Sequence, residues 1–249
     1  MYHFDWATFF HYIWPLTALK DPLIREGLVV TIAVSVIAQF LGVLLGLLAA
    51  LGKMSKFPPL RGIANGYIWY FRGTPLLVQM SLLFFGLGVT HIVDFKDIQL
   101  GFLTITGPIQ AGTLALAINE GAYMAEIIRA GIEAVSPGQM EAAKSLGMTY
   151  WLSMRLIVLP QAARVIIPPL GNEFNNMMKT TTLMEVISAN ELFFAFTQIN
   201  ARIFEPFELF IAASLYYLAM TTIWSLIQAR IESQLGERKG VERGPGMFQ

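Results

Sequence analysis

Five stretches of the chain stay apolar for about the thickness of a bilayer, and shorter polar runs part them. A helix needs roughly 20 mostly apolar residues to cross. Residues 28–51 meet this most fully, with Thr31, Ser35 and Gln39 their only polar side chains. Residues 62–89 form a second stretch, interrupted by Arg72, and residues 108–128 a third. Residues 159–178 are weaker, and residues 207–227 complete the set. Buried helices of a soluble α protein would account for the second and fourth stretches but not for the first and fifth. The pattern predicts an all-α membrane protein with about five transmembrane helices.

An odd number of crossings puts the two ends on opposite sides, and positive charge decides which is which. With the C-terminus cytoplasmic, eleven of the 17 Lys and Arg fall in inner segments. Lys20, Arg25, Lys96 and Arg202 fall outside, and Arg72 and Lys179 lie within spans. The expected orientation is N-terminus outside and C-terminus in the cytoplasm. Residues 1–26 then form an outer lead-in, where Trp6, Phe9, Phe10, Tyr12 and Trp14 favour the membrane interface. They include no basic start and no small-residue cleavage site, so they do not read as a cleavable signal peptide. Residues 27–231 form one transmembrane domain, and residues 232–249 a charged cytoplasmic tail. Residues 90–107 are an outer loop. Residues 129–158 are the long inner loop between spans 3 and 4.

Composition removes several kinds of chemistry. Of the 249 residues, 55% are hydrophobic and only 14% charged, and the mean hydropathy is +0.56. A soluble domain carries about a quarter charged residues. The formal net charge is zero, so no basic field points to nucleic acid. With no cysteine, disulfides, thiolate chemistry and cysteine metal sites are excluded. His3, His11 and His91 are too scattered for a metal motif. Gly46 and Gly52-Lys53 superficially resemble a phosphate loop, but five residues part the glycines instead of four and Met54 follows the lysine. No catalytic residue, metal ligand or cofactor is expected in this chain, which does not read as an enzyme.

The second stretch contains Arg72-Gly73-Thr74-Pro75. Proline lacks a donor and breaks the helix ladder. Broken helix at membrane depth is tolerated only where protein or a water-filled cavity covers it. The alternatives are a lined pathway, or a plain kink with Arg72 reaching the inner surface. The spacings Gly42/Gly46 and Gly62/Gly66 both fit the small-xxx-small pattern of close helix packing.

In the inner loop, Ser136-Pro137-Gly138-Gln139 reads as a helix start with a capping box and proline at the first position. The helix continues through Glu141, Ala142 and Ala143 to Gly147, which stops it. Thr149 caps a second short helix over residues 150–158, expected to end before Pro160. The alanines leave room for a partner surface, and Glu141 lies near the positive end of the helix dipole. From composition alone this is a loop helix that could dock something.

The spacing is more specific. Glu141-Ala142-Ala143, Gly147, Ile157 and Leu159-Pro160 form the pattern E-A-A-x3-G-x9-I-x-L-P. This resembles, at every fixed position, the signature loop of permease subunits in bacterial ATP-driven importers. Arg72-Gly73-Thr74-Pro75-Leu76-Leu77-Val78-Gln79 and Ala122-Tyr123-Met124-Ala125-Glu126-Ile127-Ile128-Arg129 resemble motifs of the polar amino-acid branch of that family. The likeness covers residues 27–231. It implies a five-helix fold like that of the methionine importer, placed in the bacterial inner membrane as a multi-pass permease. It also implies a second permease subunit, identical or different, two ATP-binding-cassette ATPases that hold ATP and Mg, and a periplasmic solute-binding protein. The seven residues of the loop pattern would then form the ATPase-coupling contact.

Ionisable groups inside a membrane mark functional sites by default. Glu120 lies twelve residues into the third stretch. Glu173, Asn176 and Thr180 share one helix face, with Lys179 beside them. The resemblance places amino-acid contacts on this face, at Glu173 and Thr180. Thr180 stands where an aspartate is frequent in the family, which counts against a basic amino acid. Glu120 stands where a small hydroxyl residue is common, and offers a replacement for that charge. The alternative is a structural ion pair of Glu120 with Lys179 or Arg72, since buried charges are usually paired. A channel or ion-coupled carrier using Glu120, Arg72 and Lys179 as a relay is the rival function. Such carriers often show inverted repeats, and the sequence has none.

Overall fold

The computed structural model describes residues 4–90, 92–100 and 103–237. His3 and His91, and Arg238, Lys239 and Arg243 of the tail, lie outside them.

Asp5 opens the chain's first helix by accepting from the Ala7 and Thr8 amides. Those bonds and the Thr8 hydroxyl hold the Asp5 carboxyl below its ordinary range. Helix α1 (Trp6–Ile13) is tied to the far end of the chain, because the Asp5 N–H donates to Glu208 at 2.7 Å. After the short α2 (Pro15–Ala18), Asp21 caps α3 (Pro22–Lys53). A proline at the first turn starts α3, as it does many later helices. The first span is therefore longer than its apolar run, beginning inside the expected lead-in.

Helix α3 inverts the arrangement of a soluble helix. Gly27, Thr31, Ser35, Gln39, Gly42 and Gly46 face inward, while Val29, Val36, Phe40 and Leu48 are exposed. Small and polar residues pack, and large apolar ones face outward, as expected where lipid replaces water. The packing partner is α7 (Gly107–Glu133). A Cβ at Gly42 would lie 2.6 Å from Glu120 Cγ, and one at Gly46 would meet Met124. These pairings and the Lys53–Glu126 ion pair show that α3 and α7 run parallel.

Between them the chain returns through α4 (Pro58–Gly73) and α5 (Leu76–Ser81). A wide π turn over Leu82–Gly86 then leads into α6 (Leu87–Val89). The second span is thus broken at Thr74-Pro75, where its proline is expected to interrupt the helix and the backbone is extended. The break is covered by side chains. Gln79 Nε2 donates to Phe71 O, Thr74 O and Thr74 Oγ1 at 2.7–3.0 Å. Asn119 Nδ2 reaches Phe71 O at 2.9 Å and Gln79 Oε1 at 3.0 Å. Carbonyls freed by the proline thus find donors inside the protein, as a bilayer requires.

The loop expected on the outer side, residues 90–107, is not all coil. Strands β1 (Ile98–Leu100) and β2 (Leu103–Ile105) pair antiparallel, a small exception to the all-α expectation. Asp97 Oδ1 accepts from Gly107 N at 2.8 Å and ties this hairpin to the start of α7.

After α7 come α8 (Pro137–Ser145), α9 (Tyr150–Ser153), a π turn over Met154–Val158, and α10 (Leu159–Thr180). A 3-10 turn, Thr181–Ile187, precedes α11 (Leu192–Ile203), and α12 (Pro206–Glu237) closes the described chain. Helix α10 runs against α7: Gly131 meets Ile166, and Gly112 meets Met184. Helix α12 runs against α10, with Trp224 Nε1 donating to Gly171 O at 2.8 Å. The second short helix expected in the inner loop does not end before Pro160. Its backbone continues into α10, because the turn ahead of the proline widens and Leu159 N–H reaches Met154 O. Among the described residues, three helical runs, Pro22–Lys53, Tyr150–Ile187 and Pro206–Gln234, are long and apolar enough to cross a membrane by length and composition.

Glu191 joins three helices and carries no sequence motif. It is fully buried. Its carboxylate caps α11 through Phe194 N at 2.6 Å and accepts from Tyr217 Oη at 2.9 Å and Thr31 Oγ1 at 3.4 Å. Gly27 makes room for it, since a Cβ there would lie 2.9 Å from Glu191 O. Each buried donor left without an acceptor costs about 1–3 kcal/mol. Glu191→Ala is expected to lower the melting temperature of the detergent-purified protein clearly, and Glu191→Gln less. Equal melting temperatures for Glu191→Ala and the parent would disprove the role of this node.

Candidate functional site

Side chains from α5, α7 and α10 line a half-open cavity of about 540 Å³. It is lined by Glu120, Asn119 and Tyr123 from α7 and by Glu173, Asn176, Lys179 and Thr180 from α10. Leu76, Leu116 and Met177 supply apolar wall. Five of the six residues singled out for a pathway therefore meet in one space, although α7 and α10 are distant in sequence. The sixth, Arg72, is exposed and does not line it. Its guanidinium lies 5.3 Å from the ring centroid of Tyr123, which does.

Glu120 makes neither of the ion pairs considered for it. Among the described residues, none of Glu120, Glu173 and Lys179 takes part in an ion pair. Glu120 is instead held by Gln39 of α3, whose Nε2 donates to Glu120 Oε1 at 3.0 Å. Both residues are 6% exposed. Thr180 spends its hydroxyl proton on Asn176 O at 2.8 Å, one helical turn back. Asn119 does double work, lining the cavity while it satisfies the break at Thr74-Pro75. The sequence singled out neither Asn119 nor Gln39. Polar side chains in the apolar runs 28–51 and 108–128 were the available signal.

At the other end of the molecule, Glu126 pairs with Lys53 and, at 2.9 Å, with Arg129, which also reaches Glu133 at 2.5 Å. This network ties the ends of α3 and α7 just ahead of α8. The α8 helix ends as its glycine foretold. Gly147 has φ +77°, its N–H donates to Lys144 O at 2.9 Å, and Met148 N–H reaches Ala143 O at 3.1 Å. These two bonds are the Schellman closure. Thr149 caps α9 through Leu152 N at 3.4 Å.

Two expectations for this loop fail. The Ser136 side chain makes no capping bond, and the turn is closed by its backbone carbonyl, which accepts from Gln139 N. Ala143 is 1% exposed and packs inward, so only Glu141 and Ala142 of the E-A-A group face outward. The outward apolar surface comes from Leu146 and Trp151, 81% and 80% exposed, with Tyr150 beside them. Ile157 is half-buried, while Leu159 and Pro160 are exposed at the start of α10.

Residues 42–237 match the family described as binding-protein-dependent transport system inner membrane component. The chain belongs to that family. It is a permease of this class. The arginine transport system permease ArgU of Corynebacterium glutamicum is 39% identical over 236 residues, 92% of this chain and 71% of that protein. The L-cystine transport system permease TcyB of Bacillus subtilis is 36% identical over 215 residues, 86% of this chain and 87% of that one. A crystal structure of an amino acid ABC transporter with histidines superposes with a TM-score of 0.76 at 40% identity, covering 88% of this chain and 97% of that chain. An inward-facing structure of the MetNI methionine ABC transporter superposes at 0.67 with 15% identity, covering 86% of this chain and 96% of that chain. At that identity it shows the shared fold alone. The importer-permease fold expected from the signature loop is the one observed.

Proposed function

We propose that this permease carries a polar amino acid across the inner membrane through the cavity between α7 and α10, driven by a partner ATPase docked on the α8–α9 loop. The cavity carries the proposal. Its volume falls within the roughly 300–1,000 Å³ typical of small-ligand sites. Its lining offers carboxylates for an ammonium group and Lys179 for a carboxylate. The amino-acid systems named among the relatives support the same substrate class.

Five crossings fit the alternating directions of α3, α4–α6, α7, α10 and α12. With five crossings, the bias of Lys53, Lys56, Arg61 and Arg129 to one side supports the N-terminus outside and the α8–α9 loop and C-terminus in the cytoplasm. Glu141, Ala142, Leu146 and Trp151 then face the ATPase. Gly147 shapes the turn between them, Ala143 packs beneath, and Ile157, Leu159 and Pro160 lead into α10. The chain works beside a second permease and two ATP-hydrolysing subunits, and a periplasmic binding protein delivers the solute. Residues 1–26 serve as the interfacial lead-in, residues 27–231 as the transmembrane domain and residues 232–249 as the cytoplasmic tail.

The test is co-purification followed by uptake in proteoliposomes. An ATPase subunit should come with the tagged chain, and labelled amino acid should enter only with ATP. Glu173→Gln should lower uptake about tenfold, equivalent to ~1.4 kcal/mol, with the ATPase still bound. Uptake without any ATPase would overturn the reading in favour of an ion-coupled carrier.

A further inference from the structure

The apolar wall of the cavity is also one face of a buried plug. Leu116 and Met177 line the cavity and belong at the same time to an apolar cluster with Met80, Met184 and Ile187. Met80 and Met184 are fully buried, and Met177 nearly so. Phe95, from the segment ahead of the β1–β2 hairpin, packs against the same cluster. Met184 rests on Gly112, which stands eight residues before Glu120 on α7. Helical rise makes that separation about 12 Å. The plug therefore lies between the cavity and the hairpin, on the outer side in the orientation proposed above.

The plug is built differently from the rest of the core. Met184 stands on the 3-10 turn Thr181–Ile187, which begins directly after the cavity-lining Lys179 and Thr180. This turn runs for seven residues, whereas 3-10 runs beyond about four are uncommon and often mark a hinge. It ends at Ser188 with φ +57°, a left-handed conformation that is costly for a residue with a side chain. Met184 fills a slot that exists only because Gly112 has no side chain. A Cβ there would lie 2.5 Å from Met184 Cε and 2.9 Å from Met184 Cγ. Methionine side chains are flexible and repack without breaking directed bonds. While the slot is filled, a zwitterion cannot pass, because it would shed its hydration among apolar atoms.

We infer that the 3-10 segment Thr181–Ile187 is the outer gate of the solute path, with Met184 in the Gly112 slot as its plug. Movement of the segment away from α7 withdraws Met184 and opens the cavity to the outside. Since the segment continues from Lys179 and Thr180, α10 carries that movement. The inference rests on the amino-acid path proposed above and adds the point at which that path closes.

The chain has no cysteine, so a lock can be placed at the gate alone. In Gly112→Cys/Met184→Cys the new Cβ and the sulfur at the place of Met184 Cγ lie at the spacing a disulfide needs. The assembled permease–ATPase complex, with any cysteines of the ATPase replaced, is placed in proteoliposomes. Uptake is read with labelled L-arginine or L-glutamine, whichever the parent imports. Oxidation of the double variant should lower uptake at least about tenfold, as a gate fixed shut would, and reduction should restore it with the ATPase bound throughout. Met184→Ala should let the same amino acid leak across without ATP, at least about fivefold faster than the parent, because a cavity replaces the plug. Leu209→Ala, which opens a hole in a separate buried cluster, should not leak. A pair that does not cross-link, or a cross-linked complex that transports as well as the reduced one, overturns the inference and leaves the amino-acid reading standing. Equal leak rates for Met184→Ala and Leu209→Ala overturn the role of Met184. If the parent imports neither amino acid, the amino-acid reading fails and the gate falls with it.

Discussion

Replacing Gly147 by valine is expected to abolish coupled transport while leaving the membrane core folded. The reason lies in the backbone. Gly147 sits at φ +77°, and a Cβ there would meet no atom within 4 Å. Space is therefore not the constraint. A side chain in the left-handed region costs about 1–2 kcal/mol, and β-branched residues are the least tolerated there. Valine would turn the residue out of that region and break both closing bonds, Gly147 N–H to Lys144 O and Met148 N–H to Ala143 O. The direction in which Leu146 and Trp151 project depends on that turn. Substrate-stimulated ATP hydrolysis in proteoliposomes should fall at least about tenfold, a loss of ~1.4 kcal/mol of coupling. Gly147→Asn should be far milder, because asparagine enters the left-handed region more readily. The contrast separates conformation from bulk. A Gly147→Val complex that retains its ATPase and transports normally would refute the assignment of this turn to coupling.

That turn was legible from sequence because its signals are local. Glycine at a helix end, threonine ahead of the next helix and the fixed spacing to Pro160 all act within one or two turns. What was misread there is also local but depends on direction. Ala142 and Ala143 are identical as letters, yet the helix phase sends one outward and the other inward. Pro160 reads as a stop, but a π turn can absorb it and let the helix continue into α10. The break at Thr74-Pro75 was visible as a hint. Its stabilisation was not, because the donors come from Gln79 and from Asn119 on another helix.

The cavity shows the same division. Helical periodicity put Glu173, Asn176 and Thr180 on one face. That Glu120 faces them across a gap follows from how α7 crosses α10, which depends on contacts such as Gly131 with Ile166 and Gly112 with Met184. Glu191 gave no signal at all. It sits beyond the apolar runs among ordinary polar letters, and only the meeting of α3, α11 and α12 makes it a buried junction.

The glycine pairs give the second large effect. In sequence, Gly42/Gly46 and Gly62/Gly66 carry the same small-xxx-small signal. In the folded chain they differ completely. A Cβ at Gly46 would run into Met124 Cβ and lie 2.9 Å from Ala125 N and 3.0 Å from Gly121 O. Two of these neighbours are backbone of α7, which no rotamer change can move aside. Gly62 and Gly66 have no atom within 4 Å of that position. Gly46→Leu should therefore force α3 away from α7, opening the contact that also seats Glu120 through Gln39 and Gly42. Overpacking a tight contact costs about 1–3 kcal/mol, occasionally more. Against the marginal stability of a folded domain, this should cut the yield of monodisperse detergent-purified protein severely and lower its melting temperature. Gly62→Leu should leave both unchanged for the single chain. Because the substitution is chemically the same, the difference between them measures helix packing alone. Comparable losses at both positions would mean that α4 is packed through Gly62 and that the α3–α7 crossing is not the tight one. Equal tolerance would mean that α3 and α7 can separate without cost.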